Sequence, residues 1–175
     1  IDKSEDYAIK LATDLIDKFQ NIYENKWLNM MRNKLGLFGE DKNDQKLINK
    51  LLNWMKNNKA DYTNTFCHLM GTRLNEDVYK NEDFISWTNE WKKRSRLNNS
   101  SKEKQYELMK KNNPIVIPRN HKVEEALVDA DTGKLETINK LLEVLKNPYT
   151  NQEKIIEFQK PAPVSDEKYQ TFCGT

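Results

Sequence analysis

The chain has 175 residues, of which 29 are basic and 27 acidic, so its formal net charge is only +2. This near balance excludes an overall bias towards polyanions such as nucleic acid. Charged residues make up 32% of the chain, yet four Trp, seven Tyr and six Phe supply large core side chains. We therefore expect a folded chain, and five glycines with few strand-like runs favour an all-α class.

Nothing in the sequence resembles a membrane or secretion signal. No apolar run approaches the roughly 18 residues that a membrane span needs. The chain begins at Ile1 without a signal-like segment, which suggests a fragment or a processed chain. Cys67 and Cys173 are the two cysteines, too few for a disulfide framework. We predict a cytoplasmic protein without a membrane partner.

Helical periodicity dominates the first half of the chain. Apolar residues recur at steps of three and four from Asp2 to Tyr23, and this pattern predicts the first helix. A second helical piece is predicted from Trp27 to Leu35. Asp44 is expected to open the next helix, and Asp61 to cap a short one that Gly71 closes.

The second half continues the helical pattern. Three aromatic residues are spaced so that their rings share one helix face: Phe84, Trp87 and Trp91. A shorter polar helix is predicted from Lys102 to Lys111. Two apolar stripes joined by the turn at Asp131–Gly133 then predict an αα-hairpin, which Pro148 ends.

A non-helical segment, residues 114–118, interrupts these helices, and we call it the connector. Pro114 and Pro118 bracket three apolar residues, and each proline disfavours helix at the residue before it. A helical pattern resumes directly afterwards, with Asn120 placed as its cap. Because the connector is apolar and rigid, we expect it to be a buried docking seam. The whole pattern predicts an irregular multi-helix bundle over residues 1–160 and an extended C-terminal tail over 161–175.

Arg119, Asn120 and His121 form a polar cluster at this constrained position. One interpretation is that they bind a ligand or another domain. The other is structural: Asn120 caps the helix and Arg119 bonds nearby carbonyls or carboxylates, because helix starts require such groups. We favour the structural interpretation.

The basic run at residues 92–96 also has alternatives. It could contact phosphates, form a solvated helix end, or pair with another part of a longer protein. We favour the solvated end and do not expect nucleic acid as a partner.

No catalytic or metal site is predicted. Cys67, His68, His121 and Cys173 lack the paired spacing on which zinc sites are built. We find no Gly-rich phosphate loop, Ser-His-Asp order or His-Glu-x-x-His unit. We expect Cys67 to be a small buried residue within a helix.

Cys173 is the most interesting single residue. It is the third residue from the end, where an accessible thiol could be reactive, with Tyr169 and Phe172 nearby as candidate anchors. The alternative is an inert residue on a frayed tail.

Several stretches together match a known family. They are Trp27-Leu28-x-Met30-Met31 with Lys34-Leu35-Gly36-Leu37, Asp61-Tyr62-Thr63, Trp87 with Trp91, Asn113-Pro114 through Ile117-Pro118-Arg119-Asn120-His121, Pro148-Tyr149, the Pro161–Pro163 segment, and Tyr169-x-Thr171-Phe172-Cys173-Gly174-Thr175. In this order they resemble the C-terminal part of the selenoprotein O family, over nearly the whole chain.

The resemblance implies a protein-kinase-like fold in the parent protein and transfer of AMP from ATP to protein hydroxyls, with a divalent metal such as magnesium. The family's catalytic motifs lie in its N-terminal kinase-like portion and are missing from this sequence, so no catalytic residue carries over. That portion would be this chain's partner.

Cys173 stands where some members of the family have selenocysteine. The resemblance implies a redox role through a disulfide to a cysteine near the active site, outside this chain. Cys67 is a weaker candidate as the second thiol, since it stands where relatives are expected to carry arginine.

We therefore interpret the chain as the helical C-terminal scaffold of a selenoprotein O-like adenylyltransferase, with Cys173 as a redox switch. The rival hypothesis is a stand-alone helical module that binds a partner through the connector. If the chain is part of a larger protein, we expect the aromatic faces around Trp27 and Trp91 to be either abnormally exposed or covered by self-association.

Overall fold

The computed structural model describes residues 4–71, 77–151 and 155–163, and within these ranges the chain is helical without any strand. The predicted all-α class is thus confirmed. The α-helices are α1 (Glu5–Lys34), α2 (Asp44–Asn57), α3 (Tyr62–Leu69), α4 (Glu82–Arg96), α5 (Lys102–Asn112), α6 (Asn120–Asp131), α7 (Glu136–Leu145) and α8 (Ile156–Gln159), with a 3-10 helix at Asp77–Lys80.

The first helix differs from the prediction. Instead of two pieces, α1 runs without a break from Glu5 to Lys34. The reason is that the polar residues between Tyr23 and Trp27 include neither proline nor glycine, so nothing interrupts the ladder of backbone hydrogen bonds. The chain leaves the helix at Gly36, which takes a positive φ of 66°.

The described residues fall into two compact units. The first comprises Ile1–Asn53 and Glu82–Asn112. Its core holds the predicted aromatic face of α4, whose rings stack in sequence as Phe84, Trp87 and Trp91. The indole N–H groups of Trp87 and Trp91 donate to the carbonyl oxygens of Leu47 and Leu35, both at 2.9 Å. These bonds satisfy the polar ends of two buried aromatic side chains.

The second unit comprises Trp54–Asn81 and Asn113–Thr175. In it α6 packs against α7, as the hairpin pattern predicts. Its buried core draws on α3, the connector, this hairpin and the segment around α8 and consists of Cys67, Ile115, Val116, Ala126, Leu141, Val144, Ile155 and Phe158.

Within the described ranges, none of the helices combines the length and apolar character needed to cross a bilayer.

The tail residues Tyr169, Phe172 and Cys173 lie outside the described residues. The boundary at residue 160 and the redox role of Cys173 therefore stay predictions.

Candidate functional site: the connector and its ion pair

The middle of the connector is buried, as predicted, while Pro118 at its end is exposed. Ile115 and Val116 are only 6% and 1% exposed. Their backbone N–H groups share one acceptor, the carbonyl oxygen of Pro148, at 2.7 and 3.3 Å. The second unit's own residues thus cover Ile115 and Val116, so these two side chains are not available to a separate partner.

Arg119 anchors the end of the connector. Its guanidinium donates to both carboxylate oxygens of Asp61, at 2.8 and 3.0 Å, and to Oδ1 of Asn64 at 3.2 Å. The side chain of Arg119 is 9% exposed. A bidentate ion pair of this kind fixes the orientation of the two side chains as well as their positions. The structural interpretation of Arg119, a bond to a nearby carboxylate, is the one the contacts support.

The predicted cap at Asn120 is wrong. The N–H groups of Lys122 and Val123 donate to the carbonyl oxygen of Arg119, so α6 begins at Asn120 and Arg119 takes the N-cap position. Its backbone is extended and it makes no side-chain cap. The helix thus begins one residue earlier than predicted, because Asn120 is its first residue and not its cap.

Asp61 has two roles, and the first was predicted. Its side chain caps α3 by accepting the N–H of Asn64 at 2.8 Å. Burial would raise the pKa of this carboxyl, but hydrogen bonds from Arg119 and from the backbone N–H of Asn64, with the positive charge of Arg119, outweigh burial and lower the pKa. The carboxylate is therefore charged at neutral pH and tied to the helix start.

A relay of amides extends this network to α8. The side-chain amide of Asn64 donates to the carbonyl oxygen of Gln159 at 3.1 Å. The side-chain amide of Gln159 in turn donates to the carbonyl oxygen of Ile115, also at 3.1 Å. Both side chains are buried. The relay joins α3, α8 and the connector through groups that would be costly to leave unbonded.

Cys67 lies under the connector. It is 0% exposed, and its Sγ atom is 3.7 Å from the carbonyl oxygen of Pro114. The sequence expectation of a small buried residue is confirmed. A disulfide from this thiol would require the core of the second unit to open.

His121 is half-buried at the start of α6. Burial lowers the pKa of its imidazole, and the positive charges of Lys122 and Arg119 lower it further, against a smaller opposing effect of Glu125. His121 is thus mainly neutral near pH 7.

The first unit contains a second charged network, which the sequence analysis missed. Asp44 is 0% exposed. It accepts from Nε of Arg94 at 2.6 Å and from Nε of Arg32 at 2.7 Å. Burial would raise the pKa of Asp44, but the hydrogen bonds from Arg94, Arg32 and the backbone of Asp41 lower it overall. An acidic residue at a helix start and two distant arginines are too common a pattern to identify such a cluster.

This network also corrects the interpretation of the basic run. Arg94 is not part of a solvated helix end: its guanidinium also donates to Oδ1 of Asn98 and to the carbonyl oxygens of Phe38 and Gly39. Lys92, Lys93 and Arg96 remain exposed. The ion pair is made within the chain itself.

A cleft of about 420 Å³ opens beside this network. Its charged lining has both signs: Lys46, Lys50, Lys93 and Arg94, with Asp41, Asp44 and Glu90. Lys50 is paired with Glu90 at 2.7 Å. A mixed lining of this kind favours no anion or cation in particular.

Neither network is arranged for chemistry. The carboxylates of Asp44 and Asp61 are each engaged by arginine, so they are not available as bases or nucleophiles. Among the residues that the structure describes, no three His, Cys, Asp or Glu side chains come together to hold a metal ion. Each network fixes a loop against helices within its own unit, and the class of protein that the fold defines is an all-α, multi-helix one.

Comparison with known proteins gives this helical chain a family. A family model described as protein adenylyltransferase SelO matches residues 7–146. The chain therefore belongs to the SelO family, as the resemblance of its motifs predicts.

Curated relatives agree with this assignment. A protein nucleotidyltransferase YdiU from Pelagibacter ubique (strain HTCC1062) is 57% identical over 176 residues, covering all of this chain and 36% of the relative. Proteins of the same name from Bacillus cereus (strain AH187) and Bacillus anthracis (strain A0248) are 46% and 44% identical, each over 99% of this chain and 36% of the relative. The chain thus spans about a third of the length of these relatives.

Proposed function

We propose that this chain is the helical scaffold of a longer protein adenylyltransferase, in which it supports a kinase-like catalytic portion. The observation that carries the proposal is the SelO family match over residues 7–146, combined with coverage of only 36% of the relatives. The engagement of Asp44 and Asp61 by arginine supports a structural role for the described residues. A cytoplasmic location is part of the proposal.

The proposed activity of the full-length protein is AMP transfer from ATP. The bond between the α-phosphorus and its bridging oxygen breaks, pyrophosphate leaves, and a protein hydroxyl loses its proton and bonds to the phosphorus. We place ATP and magnesium with the rest of the protein, since the described residues offer no cluster of carboxylates that fits a divalent ion.

The test follows the phosphorus atoms. Full-length protein is incubated with magnesium and ATP labelled either at the α- or at the γ-phosphate, and label on protein is measured. AMP transfer requires label from the α position only. Label from the γ position would instead identify a phosphotransferase, and label transferred by the 175-residue chain alone would show that the scaffold assignment is wrong.

We further propose that Cys173 is a redox switch in the full-length protein. Oxidation by a small-molecule disulfide would remove two electrons and two protons from Cys173 and a second thiol, through a mixed disulfide that the second thiolate resolves. The burial of Cys67 supports a second thiol outside this chain.

AMP transfer by oxidised and reduced enzyme provides the measurement. We expect the two forms to differ, and a Cys173→Ser variant to show no difference. A Cys67→Ala variant is the matched control and should keep the response. Equal activity of the oxidised and reduced wild-type enzyme would contradict the switch, and loss of the response in Cys67→Ala would identify Cys67 as the partner.

A further inference from the structure

The N-terminal part of α1 carries a large apolar surface that no described residue covers. Every described side chain from Ser4 to Lys26 is exposed. The exposed fractions of large side chains are high: 72% for Ile16, 65% for Phe19 and 58% for Tyr23. A contiguous apolar patch of this kind on a folded protein marks an interaction surface.

Between residues 8 and 23 the apolar residues are confined to one side of the helix. With a turn of about 100° per residue, one face collects Ala8, Ile9, Leu11, Ala12, Leu15, Ile16, Phe19, Ile22 and Tyr23. The opposite side carries the charged residues Lys10, Asp14, Asp17, Lys18 and Glu24. Such a helix has little stability without burial of its apolar face, because isolated helices are marginal in water. We call this face, residues 8–23, the α1 face.

The direction of the α1 face shows where its cover must come from. Met30 continues the line of Phe19 and Tyr23 along the helix and is still 42% exposed. Met31, the next residue, lies about 100° further round the helix and is 1% exposed, within the core of the first unit. The α1 face is therefore turned away from that core, and no described residue of the unit covers it.

We propose that the α1 face is the docking surface for the part of the family polypeptide that lies outside these 175 residues. This rests on the proposed function, in that it takes the chain to be one part of a longer enzyme. The relatives extend well beyond this chain, which covers 36% of their length. Because the centre of the α1 face is uncharged, the docked surface should be apolar as well.

Neighbouring residues on opposite sides of α1 supply a matched test. Ile22 lies on the α1 face and Asn21 on the far side, and both are exposed in this chain. Ile22→Cys and Asn21→Cys are each introduced into the full-length protein and into the 175-residue chain. Modification by a maleimide is followed by peptide mass spectrometry, so the native cysteines stay in place. Cys67, 0% exposed, reports that the protein remains folded.

We expect the cysteine at position 22 to be modified several-fold more slowly than that at position 21 in the full-length protein, and at a similar rate in the chain alone. Similar rates in the full-length protein would overturn the proposal. Protection that disappears on dilution would also overturn it, because it would show that a second copy covers the face.

A stability measurement gives an independent readout. Ile22→Lys should lower the melting temperature of the full-length protein and leave that of the chain alone unchanged, whereas Asn21→Lys should change neither. Labelling and melting need no catalysis. Full-length protein that protects position 22 but transfers no AMP would contradict the proposed function alone, while active protein without protection would contradict the docking surface alone.

Discussion

Arg119 and Asp61 are 58 residues apart in sequence, and two hydrogen bonds of 2.8 and 3.0 Å join them. The pair ties the end of the connector to the start of α3. Asp61 uses the same carboxylate to cap that helix. One side chain therefore both caps α3 and holds the residue that follows the connector.

Removing the arginine should be costly. Arg119→Ala leaves the Asp61 carboxylate largely buried without its main partner, so we expect the free energy of unfolding to fall by about 3 kcal/mol. Urea unfolding at pH 7 measures the change. Lys122→Ala is the matched control, since its ion pair with the half-exposed Glu125 should contribute at most about 0.5 kcal/mol. A similar loss in both variants would show that the Arg119 pair does not stabilise the fold.

Stability should decrease in acid, and the sign follows from the lowered pKa values. The carboxyl pKa values of Asp44 and Asp61 lie below the ordinary 3.8 in the folded protein. Their contribution is therefore complete above the unfolded pKa and is lost as pH falls through the folded pKa, roughly from pH 5 downwards. The urea midpoint should be lower at pH 3 than at pH 6.

The variant Asp61→Asn tests whether the loss of stability in acid arises from these carboxyl groups. It should be less stable than wild type at pH 6. Its free energy of unfolding should fall less on acidification, because asparagine does not titrate and one carboxyl group with a lowered pKa is missing. Asp77→Asn alters an ion pair exposed to solvent on both sides and should retain the wild-type acid response. An unchanged response in Asp61→Asn would mean that the acid sensitivity arises elsewhere.

Gly36 should not tolerate a side chain. Its φ is +66°, and a Cβ atom would lie 2.6 Å from Cγ of Gln105 and 2.9 Å from that residue's carbonyl oxygen. Gly36→Ala therefore combines backbone strain with a clash, and we expect a loss of more than about 2 kcal/mol. Gly133 also has a positive φ, of 82°, but has open space around it.

Gly133→Ala thus separates the two effects. Its free energy of unfolding should fall only by the cost of a side chain at positive φ, about 1 kcal/mol. Thermal unfolding of both variants makes the comparison. If the two losses are equal, the contact with Gln105 adds nothing.

The thiol of Cys67 should react only when the protein opens. Because Cys67 is fully buried, its modification by a maleimide should be slow in buffer and should rise in urea together with the unfolded fraction. Peptide mass spectrometry separates it from Cys173. Rapid modification under native conditions would show that the core over the connector opens readily, and would restore Cys67 as a candidate redox partner.

Local patterns in the sequence were sufficient for much of the fold. Apolar spacing predicts α4 and its three stacked rings, because a helix face is a property of a few consecutive turns. Asp61 is recognisable as a cap for the same reason, since donor and acceptor lie three residues apart. The two prolines of the connector restrict the backbone around them and predict its extended form.

Long-range relationships were not accessible in this way. The prediction that the ring of Trp91 is exposed or covered by a second copy is wrong. The ring is buried within its own unit, where its indole N–H donates to the carbonyl oxygen of Leu35, 56 residues away. Trp27 is half-buried, and the exposed apolar surface lies instead on the α1 face. Periodicity identifies an apolar side of a helix, but it does not tell which part of the protein covers that side.

The sequence by itself determined that the chain is helical, where most helices stop, and which family its motifs resemble, since these depend on residues close together or in a fixed order. Only the tertiary structure decided that Arg119 pairs with Asp61, that Arg94 and Arg32 share the buried Asp44, and that α1 leaves its apolar face uncovered. The physical reason is that burial and ion pairing depend on which segments meet in space. That choice is made by the packing of the whole chain, through the free energy of removing apolar and charged groups from water.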